Sequence, residues 1–190
     1  MSTPDKRREA NADCEGVGTS TPRKIIPKFI CLLLRNQKLI LHGDGSPTRR
    51  YLYGGDAADA FDFVLSKGVV GQTYNVGSED EVSNIDLCRT LLRTFDRPVD
   101  DEAHLRAAIT FVRDRPFNDH RYAIDGSKLK ALGWRQSIPL SEGLPATVHW
   151  YREHSKDWWG PLDDVLTAFP VEIQADARGR HELRAQQAER

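Results

Sequence analysis

Two arginines are the side chains of this 190-residue chain best suited to hold a charged ligand. Arg49 lies in HGDGSPTRRYLY and Arg115 in RDRPFND, and the turn residues beside them would place both at the rim of a cleft. Planar guanidinium groups bind pyrophosphate oxygens through paired hydrogen bonds. From spacing alone an ordinary surface position is favoured for each arginine, because a lone charged residue is a weak signal.

The sequence lacks the residue spacing of a metal site or of a nucleophilic active site. Its six histidines form no His-x-His or i,i+4 pair, and neither Cys-x-x-Cys nor Gly-x-Ser-x-Gly occurs. The pairs Gly16/Gly18 and Gly43/Gly45 lack the third glycine and the strand-to-helix context of a dinucleotide site. The dipeptide Asp101-Glu102 lies in an acidic run that indicates a solvated loop.

Composition narrows the class of protein and its partners. The chain has 27 Lys+Arg and 28 Asp+Glu, so a net charge of −1 favours neither a nucleic-acid nor a membrane partner. Three well-separated cysteines, Cys14, Cys31 and Cys88, are typical of a reducing compartment. The longest apolar run, Phe29 to Leu34, is too short to span a bilayer, and the first residues resemble no secretory signal. We therefore expect a cytoplasmic protein.

Hydrophobic periodicity predicts alternating helices and short strands. A helix is expected at 25–35, another from Asp56 to Leu65, a third opening at Ser83 or Asn84, and two more at 127–132 and 141–154. Asp56 is expected to cap its helix, which would bury Ala57, Ala60, Phe61 and Val64. Strands are expected at 39–42, 73–76 and 109–112, with a turn at 43–45.

These elements predict one domain of the α/β or α+β class between two polar tails. Residues 1–22 are expected to be a disordered tail, residues 23–160 a domain, and residues 161–190 a polar tail that forms at most a loose helix. The strands are too few for a self-sufficient doubly wound sheet. The pattern instead fits a substrate domain with a strand or two that would complete another sheet.

Six segments carry a resemblance to a known family: RKIIPKFI, HGDGSPTRRYLY, YNVGS, RDRPFNDHRYAID, KLKALGW and a final WY…WWG. Together they make residues 23–160 similar to the carboxy-terminal part of the nucleotide-sugar 4,6-dehydratases, which are extended short-chain dehydrogenase-type enzymes. The resemblance implies the substrate-binding part of an NAD(P)-binding Rossmann-type fold, with the N-terminal nucleotide-binding half absent. It implies a lyase of nucleotide-sugar metabolism, in a rhamnose-type pathway, that acts on UDP-glucose or dTDP-glucose.

The resemblance also implies roles for individual residues. Arg49 and Arg115 match positions that contact the substrate phosphates. The other matches are Lys24 and Ile25 at a helix start near the pyrophosphate, Leu41 and His42 on a strand near base and ribose, and Asn118 near the ribose. A core helix, an exposed strand-end histidine and a turn asparagine are the plain structural alternatives for these positions.

Two departures from the family pattern bear on the phosphates. Arg50 stands where the family has a small polar residue, and Asp80 stands where some members have a phosphate-contacting asparagine. A carboxylate at that position would repel phosphate.

The same resemblance marks what the chain lacks. In the family a tyrosine with a lysine four residues later serves as the base, and no tyrosine here has that lysine. NAD is the family's cofactor, and we do not expect this chain alone to bind it. Three hypotheses follow: a truncated dehydratase inactive alone, a non-catalytic nucleotide-sugar-binding or regulatory module, and a poorly folded remnant. A full-length relative or a separate N-terminal half would be the partner.

Overall fold

The computed structural model describes residues 24–114, 118–158, 162–167, 171–175 and 181–185. Its helices are α1 (Ile25–Leu34), α2 (Gly54–Lys67), α3 (Asn84–Thr94), α4 (Glu102–Ala108), α5 (Ser127–Leu132), α6 (Leu140–Trp158) and α7 (Asp163–Leu166). Its strands are β1 (Leu39–His42), β2 (Thr48–Arg50), β3 (Glu81–Ser83), β4 (Ile109–Val112), β5 (Val171–Ala175) and β6 (His181–Ala185). The predicted tail 1–22 and Arg115 lie outside the described residues.

The described residues form three two-stranded sheets, two of which connect distant parts of the chain. β1 pairs with β4 in parallel, so that Leu39 lies opposite Ile109 and His42 opposite Val112. β2 and β3 pair antiparallel, and so do β5 and β6. The parallel pair brings the carboxyl ends of β1 and β4 to one edge, and the loops that leave this edge carry the candidate site.

The main core lies between α1, α3, α6 and the β1–β4 pair. α1 buries Phe29, Ile30 and Leu33, as its helical spacing predicts, and it also buries Cys31 and Leu32, so the helix is enclosed on more than one side. Ser83 caps α3 by accepting a hydrogen bond from the Asp86 N–H, which confirms the predicted start of that helix. Leu162 and Leu166 belong to the same core, so packing continues past residue 160, where the sequence predicts a polar tail. The predicted domain boundaries themselves stay predictions.

Asp56 does not cap its helix. α2 begins at Gly54, two residues before Asp56, and the Asp56 side chain is only 1% exposed. Its carboxylate accepts hydrogen bonds from the N–H groups of Ser137 (3.1 Å) and Ile138 (3.0 Å), and from the Ser137 hydroxyl. The buried carboxylate therefore anchors the segment that leads into α6, a long-range contact that local spacing cannot predict.

The structure confirms the predicted buried face of α2 at Ala60 and Val64 but not at Phe61. Ala60 is fully buried in a second cluster with Leu129 and Trp134, whereas Phe61 is 68% exposed. Leu65 lies one helical turn further along and is 86% exposed, and Val70, in the turn that follows, is 99% exposed. Phe61, Leu65, Val69 and Val70 together are called the exposed apolar face below.

Several other local predictions need correction. Thr73–Val76 forms no strand with any described residue. Asp101, assigned to a solvated loop, instead caps α4 by accepting a hydrogen bond from the His104 N–H. Within the C-terminal tail, 171–175 and 181–185 pair as a hairpin rather than forming a loose helix. The remaining predicted helices and strands are confirmed within a few residues, and α5 ends at Gly133 with a left-handed φ of 111°.

Candidate functional site

The carboxyl ends of β1 and β4 form the floor of the candidate site. The Gly43 N–H donates to the Val112 carbonyl (2.9 Å), and His42 Nδ1 lies 3.2 Å from the Arg113 carbonyl oxygen. Gly43 has a φ of +64°, and a Cβ at that position would lie 3.1 Å from a carboxylate oxygen of Asp114. The two strand ends are therefore tightly joined, and both run into the loops that hold the arginine and asparagine described next.

Arg49, in the middle of β2, is a cation of the site with contacts on several sides. Its Nη1 donates to the Thr48 carbonyl (2.7 Å), and its Nη2 donates to Asn118 Oδ1 (3.3 Å). The guanidinium carbon lies 4.5 Å from the centre of the Tyr122 ring, a cation–π arrangement. The side chain is half-buried and held from three directions, although 69 residues separate Arg49 from Asn118.

Asn118 is oriented from its other side by a carboxylate. Its Nδ2 donates to the two Asp114 oxygens at 3.0 and 3.3 Å, which leaves Oδ1 to accept from Arg49. A donor–acceptor chain therefore runs from Arg49 through Asn118 to Asp114, at the end of β4. This chain fixes which atom of the Asn118 amide faces the guanidinium.

Glu81, at the start of β3, links β2 to the loop that carries Asn118 and Tyr122. Its carboxylate accepts from Arg121 Nε (2.6 Å) and Nη2 (2.8 Å), from Thr48 Oγ1 (2.9 Å), and from Arg50 Nε (3.2 Å). The Arg121 hydrogen bonds, helped by Thr48, lower the pKa of Glu81 to about 2. The carboxylate therefore stays ionised and bound throughout the neutral range.

Arg50 and Asp80, the two departures from the family pattern, both have structural partners. Arg50 binds Glu81 and the Ser78 carbonyl (3.2 Å). Asp80 Oδ2 accepts from Gln136 Nε2 (2.6 Å) and from the Leu140 N–H (2.9 Å) at the first residue of α6. The Asp80 carboxylate thus satisfies a helix N-terminus.

The structure brings together only some of the predicted site residues. Arg49 and Asn118 are in direct contact, and His42 lies at the strand edge below them. Leu41 is 2% exposed and packs in the core. Lys24 is exposed and Ile25 is half-buried at the start of α1, and no hydrogen bond or ion pair joins either to Arg49 or Asn118 in the described ranges.

Sequence reasoning missed Asp114, Tyr122, Arg121 and Glu81. Asp114 and the pair Arg121-Tyr122 stand in the same RDRPFNDHRY segment as Asn118, so that segment could have suggested them. Nothing local indicates Glu81, because it lies 40 residues from Arg121, and the two meet where Arg121 forms a bridge with Thr48 of β2.

The described residues do not fit an NAD site of the glycine-rich type. Gly43 and Gly45 lie in a turn between two strands, not between a strand and a helix. A Cβ on Gly45 would lie 2.6 Å from Leu41 Cδ2 and 3.0 Å from Ile85 Cβ, so the space beside this glycine is filled by the core. These glycines serve internal packing and do not open towards a pyrophosphate.

Other chemistries find no support in the part of the chain that the structure describes. It holds no group of three metal-ligating side chains, and none of its helices is long and apolar enough to cross a membrane. Burial raises the pKa of the Cys31 thiol to about 11 and that of Cys88 to about 12. Neither cysteine is therefore an activated nucleophile.

The structure thus places a half-buried arginine at the edge of an α/β unit, next to the carboxyl ends of its parallel strands. The chain belongs to the GDP-mannose 4,6 dehydratase family, whose model matches residues 11–147. It is 43% identical over 160 residues to the trifunctional UDP-glucose 4,6-dehydratase/UDP-4-keto-6-deoxy-D-glucose 3,5-epimerase/UDP-4-keto-L-rhamnose-reductase of Arabidopsis thaliana, covering 84% of this chain and 23% of that one. It is 40% identical over 150 residues to human dTDP-D-glucose 4,6-dehydratase, covering 79% of this chain and 42% of that one. The predicted resemblance is confirmed.

Solved structures agree with this assignment. The dTDP-glucose 4,6-dehydratase of Streptomyces venezuelae, whose structure contains NAD, matches with a TM-score of 0.68 and 33% identity, over 77% of this chain and 43% of that chain. The fold class is thus that of part of an NAD-containing dehydratase. The chain spans less than half the length of these relatives.

Proposed function

We propose that this chain binds the diphosphate of a nucleotide sugar, UDP-glucose or dTDP-glucose, as the substrate-binding part of a 4,6-dehydratase. The observation that carries the proposal is that the Arg49 guanidinium is held in place while some of its N–H donors stay available. Two of its five N–H groups are engaged in hydrogen bonds within the described residues, and its ring contact with Tyr122 leaves the edge of the guanidinium available. A planar fork with spare donors matches a phosphate oxygen pair.

Preorganisation supports this role. A free arginine loses side-chain entropy on binding an anion, and roughly 0.5–1.5 kcal/mol is typical for an immobilised side chain. Arg49 is already held by Thr48, Asn118 and Tyr122, so much of this loss precedes binding. Its guanidinium also has no carboxylate partner among the described residues, which leaves its charge for the ligand.

The remaining contacts are proposed on the family match. Asn118 and His42 would face the ribose, and Arg115 would supply a second guanidinium to the phosphates. Leu41 would contribute backbone, because its side chain is buried. Lys24 and Ile25 would act through the N-terminus of α1, where backbone N–H groups point outward.

We further propose that these 190 residues do not complete the dehydration alone. The Tyr-x-x-x-Lys base is absent from the sequence, and the glycines at the β1–β2 turn are packed by side chains. NAD and the base would be supplied by a full-length relative or by a separate N-terminal half. The exposed apolar face supports such a partner, since large exposed apolar patches mark interaction sites. A reducing, cytoplasmic location fits the free thiols of Cys31 and Cys88.

Calorimetric titration of the purified chain with UDP-glucose and dTDP-glucose, with NAD as a third ligand, tests the proposal. We expect saturable binding of a nucleotide sugar and none of NAD. Arg49→Ala should weaken binding at least tenfold, about 1.4 kcal/mol or more, because it removes a charge-assisted hydrogen bond donor. Arg152→Ala is the matched control, since Arg152 likewise lies over a ring (Phe95, 4.9 Å) and bonds a carbonyl (Thr94, 3.4 Å).

Two outcomes of the titration would contradict the proposal. Failure of a folded chain to bind either nucleotide sugar would contradict the proposal, and so would equal losses in Arg49→Ala and Arg152→Ala. Binding without any gain of dehydratase activity on adding an N-terminal half would instead favour the non-catalytic binding module.

A further inference from the structure

The Glu81 carboxylate binds side chains from both segments that contact Arg49, which are β2 and the loop that follows β4. Glu81 binds the Thr48 hydroxyl at 2.9 Å and Arg121 through two hydrogen bonds of 2.6 and 2.8 Å. It lies opposite Arg50 in the β2–β3 pairing and also binds that side chain at 3.2 Å. Glu81 is thus the common partner of β2 and of the loop that follows β4.

The residues that Glu81 binds lie next to the contacts of Arg49. The Thr48 carbonyl accepts from Arg49 Nη1, and Arg121 directly precedes Tyr122, whose ring lies against the Arg49 guanidinium. The Thr48 N–H also donates to the His120 carbonyl at 2.8 Å, which closes the loop onto β2. Loss of the carboxylate would remove the side-chain partner that Thr48 and Arg121 share, next to both contacts of the guanidinium.

Charge distribution gives a second, independent reason. Arg49, Arg50 and Arg121 all lie at this sheet edge, and their like charges repel. Glu81 forms ion pairs with Arg50 and Arg121, whereas Arg49 forms none within the described residues. The carboxylate therefore pairs with Arg50 and Arg121 and offsets one of their two positive charges, whereas the charge of Arg49 has no carboxylate partner among the described residues.

We propose that Glu81 is a positioning residue that orders the Arg49 guanidinium for a nucleoside diphosphate, acting through Thr48 and Arg121. The identity of the ligand rests on the proposed function, whereas the ordering of Arg49 by Glu81 does not depend on it. Glu81 itself touches no ligand in this scheme, and its effect on binding passes entirely through Arg49.

The first experiment needs no ligand. The Arg49 Nε–H signal is assigned in a ¹H–¹⁵N spectrum by its loss in Arg49→Lys, and its heteronuclear NOE is measured in Glu81→Gln. This variant keeps the side-chain shape but replaces one oxygen by an amide that cannot accept from Arg121. We expect the NOE of Arg49 Nε to fall in Glu81→Gln while the backbone spectrum stays that of a folded protein.

Glu102→Gln is the matched control, because Glu102 also joins two arginines, Arg89 at 3.4 Å and Arg106 at 3.1 Å, on α3 and α4. It should leave the Arg49 signal unchanged. An Arg49 signal equally ordered in wild type and in a folded Glu81→Gln variant would overturn the proposal.

The second experiment is a double-mutant cycle with UDP as the titrant. Glu81→Gln should weaken UDP binding about tenfold in the wild-type background, within the range of coupling between contacting residues. It should weaken binding much less in an Arg49→Lys background, where the planar fork is gone. Equal losses in both backgrounds would overturn action through Arg49. Absence of UDP binding by the wild type would refute the proposed function, and the NOE measurement would still decide the positioning role.

Discussion

At the scale of single residues, the site depends on contacts between residues far apart in sequence. Arg49 meets Asn118 across 69 positions, and Glu81 meets Arg121 across 40. Family resemblance singled out Arg49 and Asn118 as separate binders. The structure adds that they are joined to each other, that Asp114 binds Asn118, and that Glu81 binds Thr48, whose carbonyl accepts from Arg49. The family motifs could predict the two binding residues themselves. They could not predict the residues that contact them, because only folding brings those residues close.

Tyr51 provides a residue-scale prediction independent of function. Its hydroxyl is buried and has no hydrogen-bond partner among the described residues, and burial raises its pKa to about 12. An unsatisfied buried polar group typically costs about 1–3 kcal/mol. Tyr51→Phe should therefore raise the free energy of unfolding by about 1 kcal/mol, as measured by urea denaturation.

Tyr74→Phe is the matched control for that measurement. The Tyr74 hydroxyl accepts a hydrogen bond from the Val69 N–H at 2.9 Å, so removing it should lower stability by about 1 kcal/mol. Destabilisation in both variants would contradict the unsatisfied state of Tyr51.

At the scale of elements, local patterns predicted most helices but not the short strands and long-range contacts that join them. α1, α3, β1 and β4 follow from apolar spacing and a serine cap. β2 and β3 are only three residues long and half-buried, so they have no alternation to detect. Asp56 looked like a cap from its place before an apolar run, yet it serves a segment 81 residues away.

The joint between α2 and α6 carries the element-scale prediction. Asp56→Asn replaces one of the two carboxylate oxygens by an NH₂ group, and because Ser137 and Ile138 donate to different oxygens, one of their N–H groups loses its acceptor. The loss of charged hydrogen bonds in a buried site should lower the free energy of unfolding by about 2–4 kcal/mol. Thermal unfolding followed by circular dichroism measures the change.

Asp59→Asn on the exposed side of the same helix serves as the control. Its effect should stay within about 0.5 kcal/mol, as is usual for surface substitutions. A cost for Asp56→Asn no larger than that of Asp59→Asn would refute the anchoring role of Asp56.

At the scale of the whole molecule, the described residues combine a buried hydrophobic core with the exposed apolar face. Residues from α1, α3 and α6 are fully buried, whereas Leu65 and Val70 are almost fully exposed. Relatives have more than half of their length outside the matched region, which fits a face that another structural unit covers. Exposed apolar area of this kind favours association.

The corresponding prediction concerns Leu65. Leu65→Gln should reduce binding of the dye ANS and self-association in sedimentation experiments, with a change in unfolding free energy within about 0.5 kcal/mol. Leu91→Gln, at a fully buried position of α3, should strongly destabilise the fold. A large stability loss in Leu65→Gln would show that this face is already packed within the chain.

The sequence by itself determined the family, the α/β class, the core helices and the arginine in TRRY as the candidate anion binder. These features depend on short motifs and on apolar spacing, which a single chain displays directly. Only the tertiary structure decided that Arg49 contacts Asn118 and Tyr122, that Glu81 pairs with Arg50 and Arg121, and that Phe61 faces outward. Those features arise from contacts across 31 or more residues or from which helix face meets the core, and local sequence does not encode either.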